Sequence, residues 1–289
     1  VEVAQGYEKE FEHIIQGIPY SKIGIVRSDK SLIIKGLNNK NIIELPLNDI
    51  IKAWKEPLSF SMRVKALVIR AEGTNCDLET VEALKVAGAE VTLAHINELL
   101  KKKVNLENFQ LCVIPGGFSY GDNISAGKIL ANVIKSYLKN DFKKFIDEEK
   151  PLIGICNGFQ VLLKTGFLPF SNEGKQLASL TINDSGLFID KWVYLRHVNK
   201  RKCVLTKYSN NVIYLPINHA EGKFVAEDKI IKKLFDEDQI VYQYSHADGK
   251  IDEKANPNGS KYNIAAICNE YGNVFGIMPH PEKFIHKYM

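Results

Sequence analysis

The stretch Pro151-Leu-Ile-Gly-Ile-Cys-Asn-Gly-Phe-Gln-Val-Leu-Leu163 constrains this chain more than any other, because an apolar run stops at a cysteine and an amphipathic run begins at once. The pattern predicts strand, sharp turn, helix. Gly154 and Gly158 bracket Cys156 as G-x-C-x-G, the thiol counterpart of the G-x-S-x-G elbow, where small residues are needed because the backbone crowds around the nucleophile. A helix opening after Cys156 directs its positive end at the sulfur and favours thiolate. A lone cysteine in an apolar segment is otherwise a buried structural residue, so the remaining chain has to decide between the two readings.

The surroundings fit an enzyme-sized globular protein. With 289 residues, 45% hydrophobic and 25% charged, the chain can bury a full core. The net charge of +4 comes from scattered lysines, the densest run being Lys101-Lys102-Lys103 at a helix end, which argues against nucleic-acid binding. Five cysteines without a C-x-x-C pair indicate neither a disulfide framework nor a zinc site and fit a reducing cytoplasm. No apolar run reaches the roughly 20 residues of a membrane span, so no membrane partner is expected. The chain opens on Val1 rather than Met, which raises the expectation of a piece of a longer polypeptide.

Along the chain, 5–16 reads as a helix, 22–27, 31–35 and 41–45 as short strands, and 47–54 as a helix. These 1–55 residues hold too little apolar surface for a core of their own. Residues 56–63 read as a linker. From Val64 onward, strands at 65–70, 90–94, 110–114 and 151–155 alternate with helices at 77–87, 97–102 and 124–148, which predicts an α/β fold with an open, mostly parallel sheet flanked by helices. After Phe170 the texture is β-rich, with strands expected at 187–196, 211–217, 223–226, 239–244, 263–268 and 273–278.

In such a sheet ligands sit beyond the carboxyl ends of the strands, where three segments would meet. Cys156 is the first. Pro115-Gly-Gly-Phe118 is the second: glycines let backbone N–H groups approach an oxygen, and with the N–H of Asn157 they would form an oxyanion hole. Met278-Pro-His-Pro-Glu282 is the third, where extended backbone before Pro281 would turn His280 and Glu282 the same way. A thiol, a base and an acid that orients the base are what acyl transfer through a thioester requires.

These segments, with Arg70-Ala-Glu-Gly-Thr-Asn-Cys-Asp77 and Asn256-Pro-Asn-Gly-Ser260, make residues 64–289 resemble the class I glutamine amidotransferase domain, within it the glutaminase component of phosphoribosylformylglycinamidine synthase. Residues 1–55 resemble the C-terminal tail of that enzyme's synthetase component. The resemblance implies a flavodoxin-like three-layer fold and a catalytic triad of Cys156, His280 and Glu282. It implies an oxyanion hole at Gly117 and Asn157 and substrate contacts at Gly116, Phe118 and Gln160. It also implies glutamine as substrate and ammonia passed to a fused or separate synthetase, for ATP-dependent conversion of formylglycinamide ribonucleotide to its amidine in purine biosynthesis. Neither G-x-x-x-x-G-K-[ST] nor G-x-G-x-x-G occurs, so no cofactor is expected in this chain, and ATP and Mg²⁺ belong to the synthetase. His219 stands as either a pocket or interface residue or a turn histidine. The rival readings are a γ-glutamyl or other cysteine hydrolase on the same sheet, and a catalytically silent docking module.

Overall fold

The computed structural model describes residues 1–55, 63–171, 174–200 and 202–285. The chain divides into two units, Val1–Met62 and Arg63–Met289.

In the first unit, helix α1 (Glu8–Ile14) precedes an antiparallel hairpin of β1 (Ser31–Lys35) and β2 (Asn41–Pro46), followed by α2 (Leu47–Lys55). No residue of 1–51 is buried, as expected for a segment too short to enclose a core. The strand expected at 22–27 does not form; those residues carry no regular structure and pair with no ladder. The expected linker, apart from Arg63, lies outside the described residues.

The second unit is built on a nine-stranded sheet. Its first half comprises β3 (Lys65–Arg70), β4 (Glu90–His95), β5 (Leu111–Ile114) and β6 (Leu152–Ile155), each separated from the next by at least one helix. Helix α3 (Asp77–Val86) joins β3 to β4 and packs on both, and α4 (Ile96–Leu100) follows β4. Between β5 and β6 a single long helix was expected; instead α5 (Lys128–Val133) runs through a π-helical turn at 134–138 into α6 (Lys139–Asp147). Helix α7 (Asn157–Thr165) follows β6 directly and packs on β5 and β6.

Beyond α7 come β7 (Ala178–Thr181), β8 (Ile189–His197), β9 (Val212–His219), β10 (Lys223–Ala226), α8 (Asp228–Asp236), β11 (Ile240–Ser245), β12 (Ile264–Cys268) and β13 (Val274–Ile277). The sheet order is β4-β3-β5-β6-β13-β12-β11-β8-β9, with β7 and β10 paired separately. Pairing is parallel from β4 through β13 and antiparallel from β13 to β9, so the parallel half carries an antiparallel extension. The central strands are buried along their length, as a sheet covered on both faces requires. No described helix is long and apolar enough to cross a membrane.

Candidate active site

Cys156 sits where the sequence pattern requires strain. Its backbone has φ 50° and ψ −105°, outside the regions an L-residue prefers, at the junction of β6 and α7. The turn is held from both sides: Cys156 N–H donates to Ile277 O on β13 at 2.8 Å, and Gln160 N–H donates to Cys156 O at 3.1 Å. The flanking glycines are obligatory. A Cβ on Gly158 would lie 1.9 Å from the Ile114 carbonyl oxygen, and one on Gly154 would lie 2.6 Å from Gly158 O.

The Gly116-Gly117 pair ends β5. Gly117 has φ 137°, and Thr74 bridges to it from the segment after β3. The bridge uses Phe118 N–H and Gly116 O, so Gly117 N–H is left without a hydrogen-bond partner among the described residues, as is Asn157 N–H at the start of α7. Gly116 is small for a different reason: its Cβ would fall 2.7 Å from Cε1 of His280.

His280 and Glu282 pair, by a route other than the one expected. Extended backbone was to align them, but Pro281–Lys283 forms a 3₁₀ turn that brings Glu282 Oε1 to 2.5 Å from His280 Nδ1. Both are almost fully buried, and His280 is anchored by its N–H to Pro216 O at 2.9 Å. Burial disfavours charge on the imidazole, but the Cys156 sulfur, then Cys76, then Glu282 outweigh it, and the His280 pKa lies well above the ordinary histidine value. Nε2 of His280 completes no hydrogen bond in this resting geometry, which leaves it free to exchange a proton.

Asn157 organises the near wall. Its Oδ1 accepts from Ser119 Oγ at 2.6 Å, and its Nδ2 donates to Asp122 Oδ1 at 3.1 Å and Gln160 Oε1 at 3.0 Å. Gln160 Nε2 donates to Glu221 O at 2.7 Å, so one N–H of that amide stays available to a ligand. Cys156, Gln160, Gly117, half-exposed Phe118, His219 and His280 line one cavity of about 460 Å³.

His219 is in the pocket and at the end of β9, not in a turn. Asn183 Nδ2 is spent on Leu187 O and His219 O, so Oδ1 of Asn183 accepts, and His219 Nδ1 at 3.2 Å is the donor. The ring lies against Gly222, whose Cβ would sit 2.2 Å from Cε1. Burial, then the nearby His280, pushes the His219 pKa down to about 4, so this second imidazole is neutral at pH 7.

The profile of the CobB/CobQ-like glutamine amidotransferase domain matches residues 63–289. The chain belongs to this family. A Dehalococcoides mccartyi protein, phosphoribosylformylglycinamidine synthase subunit PurQ, is 44% identical over 225 residues, covering 77% of this chain and 86% of that one. A PurQ subunit of Archaeoglobus fulgidus is 41% identical over 248 residues, covering 78% and 89%. Among solved structures, that of PurLQS from Thermotoga maritima superposes with a TM-score of 0.63 at 32% identity, covering 78% of this chain and 92% of the matched one. The glutamine amidotransferase fold expected from the sequence is therefore the fold observed.

Proposed function

We infer that this chain is the glutaminase of a phosphoribosylformylglycinamidine synthase, hydrolysing glutamine and delivering ammonia for purine biosynthesis. The observation that carries the reading is a strained cysteine at a helix N-terminus beside a buried, carboxylate-paired histidine, in a chain 38–44% identical to PurQ subunits. In this mechanism Cys156 Sγ attacks the side-chain carboxamide carbon of glutamine, and the oxyanion is received by the N–H groups of Gly117 and Asn157. His280 Nε2 gives its proton to the departing nitrogen, Glu282 holds the ring through Nδ1, and ammonia leaves. His280 then deprotonates a water, which attacks the γ-glutamyl thioester and releases glutamate with the thiolate restored. Gly116 keeps room for the imidazole, Phe118 walls the pocket, and Gln160 offers its remaining amide N–H to the substrate.

The receiving site belongs to a synthetase component, fused or separate, which is where ATP and Mg²⁺ act. Relatives carrying the word subunit in their names and a Thermotoga maritima PurLQS structure support such a partner. Residues 1–55 read as the tail of that synthetase, supported by the unit boundary after Met62 and by a first unit in which no residue of 1–51 is buried. Five free cysteines suit a reducing cytoplasm.

The test is covalent labelling with a chloroketone analogue of glutamine, read by peptide mass. Modification confined to Cys156 and protected by glutamine is the expected result. In the assembled synthase, Cys156→Ala should abolish glutamine-dependent synthesis and leave ammonia-dependent synthesis intact. Labelling that ignores Cys156, or equal loss of both activities, overturns the assignment. The silent docking module predicts no labelling at all, and a stand-alone hydrolase predicts turnover indifferent to the synthetase.

A further inference from the structure

Strands β8 and β9 close the antiparallel end of the sheet, and their outward face carries rings where polar residues are the rule. In an antiparallel edge one face meets the core and the other meets water, so the outward positions are ordinarily polar. Val193 and Leu195 of β8 are buried, whereas the alternate positions Trp192 and Tyr194 are each 37% exposed, and Tyr214, opposite Tyr194 in the ladder, is 41% exposed. The rings form one row. Tyr194 lies against Tyr214 at 4.4 Å between centroids, Tyr214 stacks on Trp192 at 5.1 Å, and Trp192 meets the edge of Phe284 at 5.3 Å.

The row leads to the cavity of Cys156. Two positions before Trp192 on the same face, Asp190 pairs with Asn218, and both line that cavity together with Phe188 and Lys283. Asn218 O lies 3.9 Å from Cys156 Sγ, and Phe284 follows Glu282 by two positions, directly after the 3₁₀ turn. Phe188 is half-exposed, so the cavity reaches the surface beside the row. A cross-strand aromatic pair strengthens a hairpin wherever it lies. That role asks neither for a row that begins at a cavity lip nor for a fourth ring supplied by the turn that pairs His280 with Glu282.

An exposed apolar patch continuous with a site marks an interaction surface, and Trp and Tyr are the residues that dominate binding at the centres of interfaces. The product indicates what covers this one. Ammonia released into neutral water takes up a proton and loses the lone pair that makes it a nucleophile, so the component that consumes it has to abut the opening where it is set free. A second copy of this chain would bring another cavity and consume no ammonia. We propose that Trp192, Tyr194, Tyr214 and Phe284 form the docking surface for the ammonia-consuming synthetase component, with Trp192 at its centre. The inference rests on the glutaminase reading, because ammonia is what ties the partner to this opening. Since Phe284 continues the turn in which Glu282 meets His280, a partner seated on Trp192 also bears on that turn, and docking is coupled to glutamine turnover.

The experiment is hydroxyl-radical footprinting of the chain alone and of the assembled synthase, read by peptide mass, with the exposed Tyr137 and Tyr208 as internal references. Oxidation of Trp192 and Tyr214 should slow on assembly relative to both references. Trp192→Ala should weaken a separately supplied synthetase component at least about tenfold, ~1.4 kcal/mol. It should also raise the glutamate formed per amidine made, as ammonia escapes, while ammonia-dependent synthesis and the thermal transition stay unchanged; Trp192→Tyr, which keeps a ring, should restore coupling. Equal oxidation of Trp192 and Tyr214 in both states overturns the proposal, as does protection that arises in the chain alone at high concentration, which assigns the face to a second copy. An unprotected face beside a Cys156 that the chloroketone still labels refutes the docking surface and leaves the glutaminase standing, whereas an unlabelled Cys156 refutes the glutaminase reading itself.

Discussion

Replacing Gly158 by alanine perturbs the site without touching a reacting group. A Cβ there would meet Ile114 O at 1.9 Å, Ile114 C at 2.7 Å and Ile114 Cβ at 3.2 Å, whereas real Cβ atoms do not approach closer than 3.0 Å. Nothing flexible lies in the way, because the obstructing atoms are backbone at the end of β5. Helix α7 therefore has to retreat by about 1.1 Å, and it carries Cys156 at its head, the Asn157 hydrogen bonds to Ser119, Asp122 and Gln160, and the Gln160 tether to Glu221. Overpacking of this kind costs about 1–3 kcal/mol, offset by roughly 1 kcal/mol from alanine's better helix propensity, so net destabilisation is about 0–2 kcal/mol.

Activity should suffer more than stability. A displacement of about 1 Å between reacting groups lowers a rate on the order of 10²-fold, the expected fall in glutamine hydrolysis. The assay compares glutamine-dependent with ammonia-dependent synthesis in the assembled synthase, alongside the thermal transition. Gly24→Ala is the control, since a Cβ there meets nothing within 4 Å. Wild-type turnover in Gly158→Ala would refute the claim that helix-to-strand contact sets the position of the sulfur.

Other perturbations read the two buried histidines. Glu282→Gln removes the carboxylate at 2.5 Å from His280 Nδ1, so kcat should fall by about 10²- to 10⁴-fold and the acidic limb of the pH–rate profile should move, because His280 loses one source of its raised pKa. An unchanged profile would detach Glu282 from the relay. His219 has a folded pKa of about 4, below its unfolded value of 6.5, so the stability it permits is present above pH 6.5 and is lost as pH falls toward 4, by roughly 3 kcal/mol in all. In His219→Gln the difference in unfolding free energy between pH 7 and pH 4.5 should shrink by about 2 kcal/mol in chemical denaturation, and an identical difference would show that His219 is not buried neutral.

The segments that form the candidate site were legible because each is local. A thiol between two glycines and a glycine pair after an apolar run report their conformations within five residues, alternating strands and helices report the parallel half of the sheet, and the histidine between prolines reported its pairing with Glu282 but not the 3₁₀ turn that brings it about. What stayed hidden depends on distant partners. Helix α8 turns Ile230, Ile231 and Leu234 inward, an i, i+1, i+4 pattern that could have been found; nine lysine-rich residues inside a β-rich region masked it. Strand β7 is four residues long and gains its partner β10 from 42 residues further on. Conversely, the alternation at 22–27 has the strand period but finds no ladder. His219 gave no signal of its own, since its tautomer is set by Asn183, which lies 36 residues earlier.

The opposite pKa shifts of His219 and His280 follow from what faces each ring. Both are buried and line one cavity, so desolvation disfavours charge on both. Only His280 has a sulfur to one side and a carboxylate to the other, while His219 meets a neutral amide oxygen and the face of Gly222. His280 adds to the burial that holds the His219 pKa down, as one positive group close to another disfavours charge on the second. Burial is the larger cause of the low His219 pKa, and the hydrogen bond from Nδ1 to Asn183 fixes the orientation of the ring without opposing its protonation. The backbone strain at Cys156, about 1–3 kcal/mol for a non-glycine residue at positive φ, is sustained by its backbone hydrogen bonds to Ile277 and from Gln160. The strained Cys156 therefore shares its cavity with two buried imidazoles whose pKa values are displaced in opposite directions, one upward by a sulfur and a carboxylate and the other downward by burial.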